Sequence, residues 1–197
     1  KISNLKIDSI IHLAAKLRGR DDKSIYDVNF EGTRNLVNVC RKIKPNPRFV
    51  FLSSIRVLSV FRNPYTSSKK AAEGVVINSG LSYAILRPSL IYGSGDKKNL
   101  GYFFNLLKRL PIIPIFDFKT QPLFIEDLVK IISGCLERKN NLIVNIPGNK
   151  VLRFFDILKC AKSIQKSHSL IIKLPRFFYW PAKIFSYFSF LPFSWWQ

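Results

Sequence analysis

Short apolar runs closed by turn residues alternate, through the first half of the chain, with longer stretches in which apolar positions return every three or four residues. That is the pattern of a parallel sheet covered by helices, so the fold class is α/β. Ile7 to Ala15 (IDSIIHLAA) is largely apolar and ends in small residues, which predicts a buried strand. From Asp22 to Ile43, Tyr26, Phe30, Leu36, Val37 and Cys40 tend to one face, predicting a helix that Pro45 and Pro47 close. Arg48 to Ser54 (RFVFLSS) predicts the next strand, Pro64 to Asn78 the next helix, and Leu81 to Pro88 (LSYAILRP) the strand after it.

Beyond Gly93 the pattern changes. A helix is predicted over Gly101 to Leu110, then a connection marked by Pro111 and Pro114, a strand near Pro122 to Ile125, a helix from Glu126 to Arg138 and a strand over Leu142 to Gly148. From Val151 onward the chain reads as mainly helical and strongly aromatic, ending in FSYFSFLPFSWWQ. The charge-free stretch from Ile184 to Trp196 contains Pro192 and is shorter than the about 20 apolar residues of a spanning helix. It reads as a helix whose apolar face packs on the rest of the protein. The alternative is a peripheral membrane contact, with Trp180, Trp195 and Trp196 beside Lys173, Arg176 and Lys183.

Composition narrows the function classes. With 47% hydrophobic residues the 197-residue chain can bury a core. The charge of +20 invites nucleic acid, but the basic residues form no long block and accompany no nucleic-acid motif, so no nucleic-acid partner is expected. Attraction of small anions, nucleotides included, is compatible with it. Cys40, Cys135 and Cys160 are odd in number, widely separated and without CxxC spacing, which predicts buried thiols in a reducing, cytoplasmic setting. His12 and His168 have no partner at metal-ligand spacing, and no metal is assigned. The chain opens at KISNLK and contains no methionine, so we expect its start to lie inside a longer gene product.

The residues that carry chemistry are Ser54, Tyr65 and Lys69. A strand-end hydroxyl precedes a Tyr and a Lys four apart, which share one helix face. A phenol titrates near pH 10 and works near neutrality only with a cation beside it, which the Lys supplies. Ser54 would hydrogen-bond the substrate oxygen, and the chemistry implied is hydride transfer with a proton relay. A second Tyr-x-x-x-Lys pair, Tyr179 and Lys183, is interrupted by Pro181 and lacks this strand context.

Five motifs in order, IIHLAA (Ile10 to Ala15), VNFEGTRNL (Val28 to Leu36), FVFLSS, YTSSK and LRPSLIYG (Leu86 to Gly93), resemble those of the NAD-dependent epimerase/dehydratase family over Ile7 to about Arg138. The resemblance implies a Rossmann-like sheet. Residues 1–93 would be the remaining part of an NAD(P)-binding domain; residues 94–197 would be a substrate-side region interleaved with its last elements, with an aromatic tail from about residue 171. It implies NAD or NADP as cofactor, with Leu13, Ala14, Ala15, Asn29, Pro88 and Ser89 against it, and Ser54, Tyr65 and Lys69 as catalytic residues. Tyr65 and Lys69 also touch the cofactor, Lys69 at the nicotinamide ribose, and Ser53 is the alternative serine. Ser54, Leu90 and Asn99 would face the substrate, a nucleotide-sugar or similar carbonyl compound, in an epimerase, dehydratase or reductase that pairs as a homodimer.

Two departures qualify the resemblance. The family's GxxGxxG loop does not occur in this sequence, and about 60 residues, two βαβ units, are expected ahead of Lys1. Without that loop the fragment is expected to bind NAD poorly and to be inactive alone. Near Thr120, where the family's sugar-nucleotide enzymes carry an Arg, stand Gln121 and Pro122, similar to a branch that includes an accessory subunit of respiratory complex I. A catalytically idle nucleotide-binding or membrane-associated subunit is therefore the alternative function, and a nonfunctional remnant the third.

Overall fold

The structure, a computed structural model, describes residues 6–60 and 62–175. The chain up to the end of the third strand carries β1 (Ser9–His12), α1 (Asp22–Tyr26), a π-helical turn (Asp27–Glu31), α2 (Gly32–Cys40), β2 (Arg48–Leu52), a 3₁₀ turn (Ile55–Leu58), α3 (Pro64–Ile77) and β3 (Tyr83–Pro88). There follow β4 (Ile91–Tyr92), α4 (Leu100–Arg109), β5 (Ile112–Ile115), β6 (Lys119–Thr120), β7 (Leu123–Phe124), α5 (Ile125–Leu136), β8 (Leu142–Ile146), β9 (Leu152–Arg153), α6 (Phe154–Ile164) and β10 (Leu170–Lys173). They divide into two compact units, Lys1–Ser89 with Glu126–Pro147, and Leu90–Ile125 with Gly148–Gln197.

The first unit is built on a four-stranded parallel sheet in the order β1-β2-β3-β8. Phe49, Val50 and Phe51 of the central strand are fully buried, which is what a continuous apolar run becomes in a strand covered on both faces. Val37 and Cys40 of α2 and Ala72 and Val76 of α3 pack with Phe49, Phe51, Leu81 and Ile85 in one core. Each large apolar side chain there contributes on the order of 1.5–3 kcal/mol by leaving water.

α3 starts where it does because Asn63 caps it. Asn63 Oδ1 accepts the Thr66 amide and Thr66 Oγ1 accepts the Asn63 amide, both at 2.9 Å, with Pro64 at the first helical position. The helix ends in a turn through Gly80, whose φ of +74° suits a residue without Cβ. The expected helix from Asp22 to Ile43 is present as α1, the π-helical turn and α2, ending at Cys40.

In the second unit, β5 runs parallel to β10, β4 parallel to β7, and β6 antiparallel to β9. Its core gathers Leu100 and Leu107 of α4, Ile113 and Ile115 of β5, and Phe154 and Leu158 of α6. Two expectations are corrected here. The connection marked by Pro111 and Pro114 contains a strand, and the region after Val151 returns to extended structure at β10. Pro114 is tolerated because Leu170 and Leu174 donate to the carbonyls of Pro111 and Ile115, so odd-numbered residues of β5 face β10 and the Pro114 nitrogen points to the other edge.

Cys40 and Cys135 are buried as expected, whereas Cys160 is exposed, on the outer side of α6. Among the described residues no helix is long and apolar enough to cross a membrane. The aromatic tail beyond Pro175, with Tyr179 and Lys183, lies outside the described residues.

Candidate active site

Because β1, β2 and β3 are parallel, the segments leaving their carboxyl ends emerge along one edge of the sheet. Leu13–Ala15, Ser53–Ser54 and Pro88–Ser89 are those segments, and this edge is where open α/β sheets take ligands. Leu13, Ala14 and Ala15 are exposed there; Pro88 is buried, and the Ser89 amide donates to the Ile146 carbonyl at 3.0 Å.

Ser54 leaves β2 in extended conformation and caps the 3₁₀ turn, its Oγ accepting the Arg56 amide at 3.3 Å. Tyr65 stands in the first turn of α3, where the Ser54 hydroxyl acts on its phenol. Burial pushes the Tyr65 phenol above its ordinary value, against the Ser54 hydrogen bond and the Arg56 charge, which both favour the phenolate. Tyr65 therefore stands protonated at neutral pH.

Lys69, one turn further along α3, is 1% exposed. Its Nζ donates to the Leu52 carbonyl at 2.6 Å and lies 4.0 Å from the centre of the Phe51 ring. Burial pulls the ammonium down to about 7, with the Glu73 charge opposing. On the same ring, His12 stacks at 5.5 Å and is held neutral, pulled down to about 4 by burial and by the Lys69 charge. Thr33 gives its hydroxyl proton to the Asn29 carbonyl at 2.7 Å, so the 2.9 Å contact between His12 Nε2 and Thr33 Oγ1 has the imidazole donating.

The two serines after β2 separate in role. Ser53 donates to Glu73 at 2.6 Å, and Glu73 takes two bonds from Arg87 of β3, at 2.8 and 2.7 Å, and one from Lys70 at 3.3 Å. Burial pushes the Glu73 carboxyl up, yet the hydrogen bonds from Arg87 and Ser53 hold it below its ordinary value. That network ties β2 and β3 to α3 and leaves Ser54 as the serine not engaged by Glu73.

Asn29 is fully buried in the π-helical turn, bonded through its side chain to the amide and carbonyl of Lys16 and to Ser68 Oγ. Leu90 and Asn99 belong to the second unit. The Leu90 carbonyl accepts the Leu123 amide, and Asn99 Nδ2 donates to the Ile91 carbonyl at 3.1 Å. Sequence reasoning did not single out Arg56 or assign a role to His12. The nearest signal for Arg56 was its place between the strand-end serines and Tyr65.

A parallel sheet covered by helices, with a Ser–Tyr pair and a buried Lys at its carboxyl edge, defines a Rossmann-type protein of the dehydrogenase/reductase kind. Residues 1–146 match the model of the NAD dependent epimerase/dehydratase family, and the chain belongs to that family. It is 30% identical over 169 residues to a ceramide reductase of Caulobacter vibrioides, covering 84% of this chain and 52% of that protein. It is 42% identical over 120 residues to D-erythronate dehydrogenase of Haemophilus influenzae, covering 55% of this chain and 34% of that protein. In fold it is similar to dTDP-4-dehydrorhamnose reductase from Bacillus anthracis in complex with NADP, with a TM-score of 0.77 at 20% identity over 85% of this chain and 65% of the other. The chain thus spans about half the length of the first of these relatives, and less of the second.

Proposed function

We propose that this chain is part of an NAD(P)-dependent epimerase, dehydratase or reductase in which Tyr65 moves the proton, Ser54 polarises the reacting oxygen and Lys69 holds the nicotinamide ribose. The observation that carries this reading is the convergence of Ser54, at the carboxyl edge of a parallel sheet, with Tyr65 in the first turn of α3 and the buried Lys69 on the same helix. The residues present suit the nicotinamide half of the cofactor. Exposed small side chains at Ala14 and Ala15 leave the backbone open to a flat ligand, and Lys69 offers an ammonium that can exchange the Leu52 carbonyl for ribose hydroxyls. Bound there, the dinucleotide supplies the hydride acceptor or donor. Tyr65 gives its phenolic proton to the oxygen made electron-rich by reduction, or takes it back in the reverse sense, and the Ser54 hydroxyl holds that oxygen in line.

The substrate of first choice is a nucleotide-sugar. A lipid-like carbonyl compound is the second reading. It is favoured by Leu58 and Val60, 51% and 92% exposed on the segment between Ser54 and Tyr65, and by the ceramide reductase among the relatives. Pairing as a homodimer and a membrane contact through the aromatic tail belong to the same proposal. The deciding experiment follows nicotinamide absorbance in the longest natural form of the protein, offered NAD(H) and NADP(H) with a panel of nucleotide-sugars and of long-chain ketones. Turnover that disappears in Tyr65→Phe supports the reading. Dinucleotide binding without turnover of any of them would establish the idle nucleotide-binding role instead.

A further inference from the structure

α3 is tied to the end of β2 twice, one helical turn apart, and the catalytic assignment uses only the first tie. Lys69 Nζ donates to the Leu52 carbonyl at 2.6 Å, and Glu73 Oε1 accepts the hydroxyl of the next residue, Ser53, at 2.6 Å. The peptide between Leu52 and Ser53 is also fixed from β3, its amide donating to the Leu86 carbonyl at 2.7 Å. Arg87, which follows Leu86, closes the circuit by donating to both oxygens of the Glu73 carboxylate, at 2.8 and 2.7 Å.

We propose that Glu73 is a positioning residue for Ser54 and Lys69: through Ser53 it latches the end of β2 to α3, so that Lys69 can leave the Leu52 carbonyl for a cofactor hydroxyl while Ser54, next after the latch, stays in place.

Three observations support this. The two ties lie four residues apart on one face of α3 and meet consecutive residues of β2, so each covers for the other. When Lys69 exchanges its partner, the Ser53–Glu73 bond remains. The second is rigidity. Glu73 is fully buried and held by a bidentate guanidinium from a neighbouring strand, so its carboxylate is a fixed point rather than a swinging side chain. The third is chemical. A carboxylate only accepts, and here its two oxygens take Ser53, Arg87 and, at 3.3 Å, Lys70; an amide in its place would turn a donor toward one of these donors.

The inference rests on the roles proposed above for Ser54 and Lys69, and its first test needs no turnover. Ser53→Ala cuts the latch while leaving Glu73 with Arg87 and Lys70, and Lys69→Met imitates the departure of the amine from the Leu52 carbonyl. In the longest natural form of the protein, without cofactor, hydrogen exchange of the position-53 amide read by NMR reports on the strand end. Each single variant is expected to speed that exchange by less than about tenfold, the net worth of one hydrogen bond. The double variant is expected to exceed the product of the two by about tenfold. With NAD(P) and substrate, Ser53→Ala is expected to lower kcat by about 10–100-fold and to leave the dinucleotide KM within about twofold, because Ser54 is misplaced while the ribose contact is kept. Loss of stability alone would leave both constants of the folded protein unchanged. Glu73→Gln is expected to share the kcat loss; should it fail to fold, the exchange cycle decides. Exchange rates that simply multiply overturn the proposal, as does a wild-type kcat in folded Ser53→Ala. A kcat loss in Ser53→Ala that folded Glu73→Gln does not share also overturns it, and makes Ser53 the catalytic serine. If exchange is coupled as expected while Tyr65→Phe leaves turnover intact, the latch stands and the catalytic assignment of Tyr65 falls.

Discussion

Replacing Lys69 by Met should make the fold more stable at pH 7, and the advantage should shrink as the pH rises. Lys69 is 1% exposed, and burial brings its ammonium from an ordinary value of 10.5 down to about 7. At about 1.36 kcal/mol per pH unit, the folded state carries a penalty of about 5 kcal/mol for keeping this amine charged. The unfolded chain binds the proton more tightly, so the penalty is complete below pH 7 and is lifted progressively between about 7 and 10.5. Between pH 7 and pH 9 the wild-type chain should therefore gain about 2 kcal/mol relative to a variant with nothing to titrate at this position. Met fills a similar volume beside Phe51 but leaves the Leu52 carbonyl without its donor, which takes back about 1–3 kcal/mol at both pH values. The assay is urea unfolding followed by far-UV circular dichroism. A stability difference between the two proteins that is the same at pH 7 and pH 9 would refute the reasoning, because it would mean that Lys69 titrates in the folded chain as it does unfolded.

Three further outcomes follow from the same site. Tyr65→Phe in the assembled enzyme with NAD(P) should lower kcat by about 10²–10⁴-fold with little change in stability, as measured by nicotinamide absorbance and thermal unfolding. Glu73→Gln removes the carboxylate facing the largely buried Arg87 and should destabilise the fold by about 3 kcal/mol in urea at pH 7. Because the Glu73 carboxyl is held below its ordinary value of 4.5, the wild-type contribution is present above that pH and lost below it, so the two proteins should converge in acid. His12→Phe should flatten the acid limb: wild-type His12, neutral and pulled from 6.5 to about 4, loses about 3 kcal/mol to the unfolded state as the pH falls across that interval, and phenylalanine has no proton to take up.

The sheet was legible because its inner strands, β2 and β3, are buried on both faces. RFVFL can be read without knowing its neighbours, since a run of apolar residues closed by serines and prolines has few other places to go. β5 was not legible, because Pro111 and Pro114 are the residues that ordinarily mark a connection, and only the pairing with β10, more than fifty residues away in sequence, shows which edge Pro114 faces. In the site, Ser54, Tyr65 and Lys69 were visible as a spacing. Which of the paired serines meets Tyr65 depends on Glu73, whose carboxylate occupies Ser53 from one turn beyond Lys69.

Asn29 shows how firmly the carboxyl edge of this sheet is fixed, and the claim can be tested. Both polar atoms of its amide are partnered within the fold: Oδ1 accepts the Lys16 amide at 2.7 Å, and Nδ2 donates to the Lys16 carbonyl at 2.9 Å and to Ser68 Oγ at 3.0 Å. Ser68 donates its own proton to the Tyr65 carbonyl at 3.0 Å, so one buried side chain connects the segment leaving β1 to the turn of α3 that bears Tyr65. Asn29→Ala leaves two backbone groups of Lys16 without their partner inside the fold and should destabilise the protein by about 2–4 kcal/mol. Ser68→Ala removes one bond at each of two partners that keep others, and should cost about 1 kcal/mol. If the link works as a unit, the double variant costs less than the sum, because the Asn29–Ser68 bond is lost only once. Strict additivity in urea unfolding would show instead that the two residues act independently, and that Tyr65 is positioned by the Asn63 cap and the packing of α3 alone.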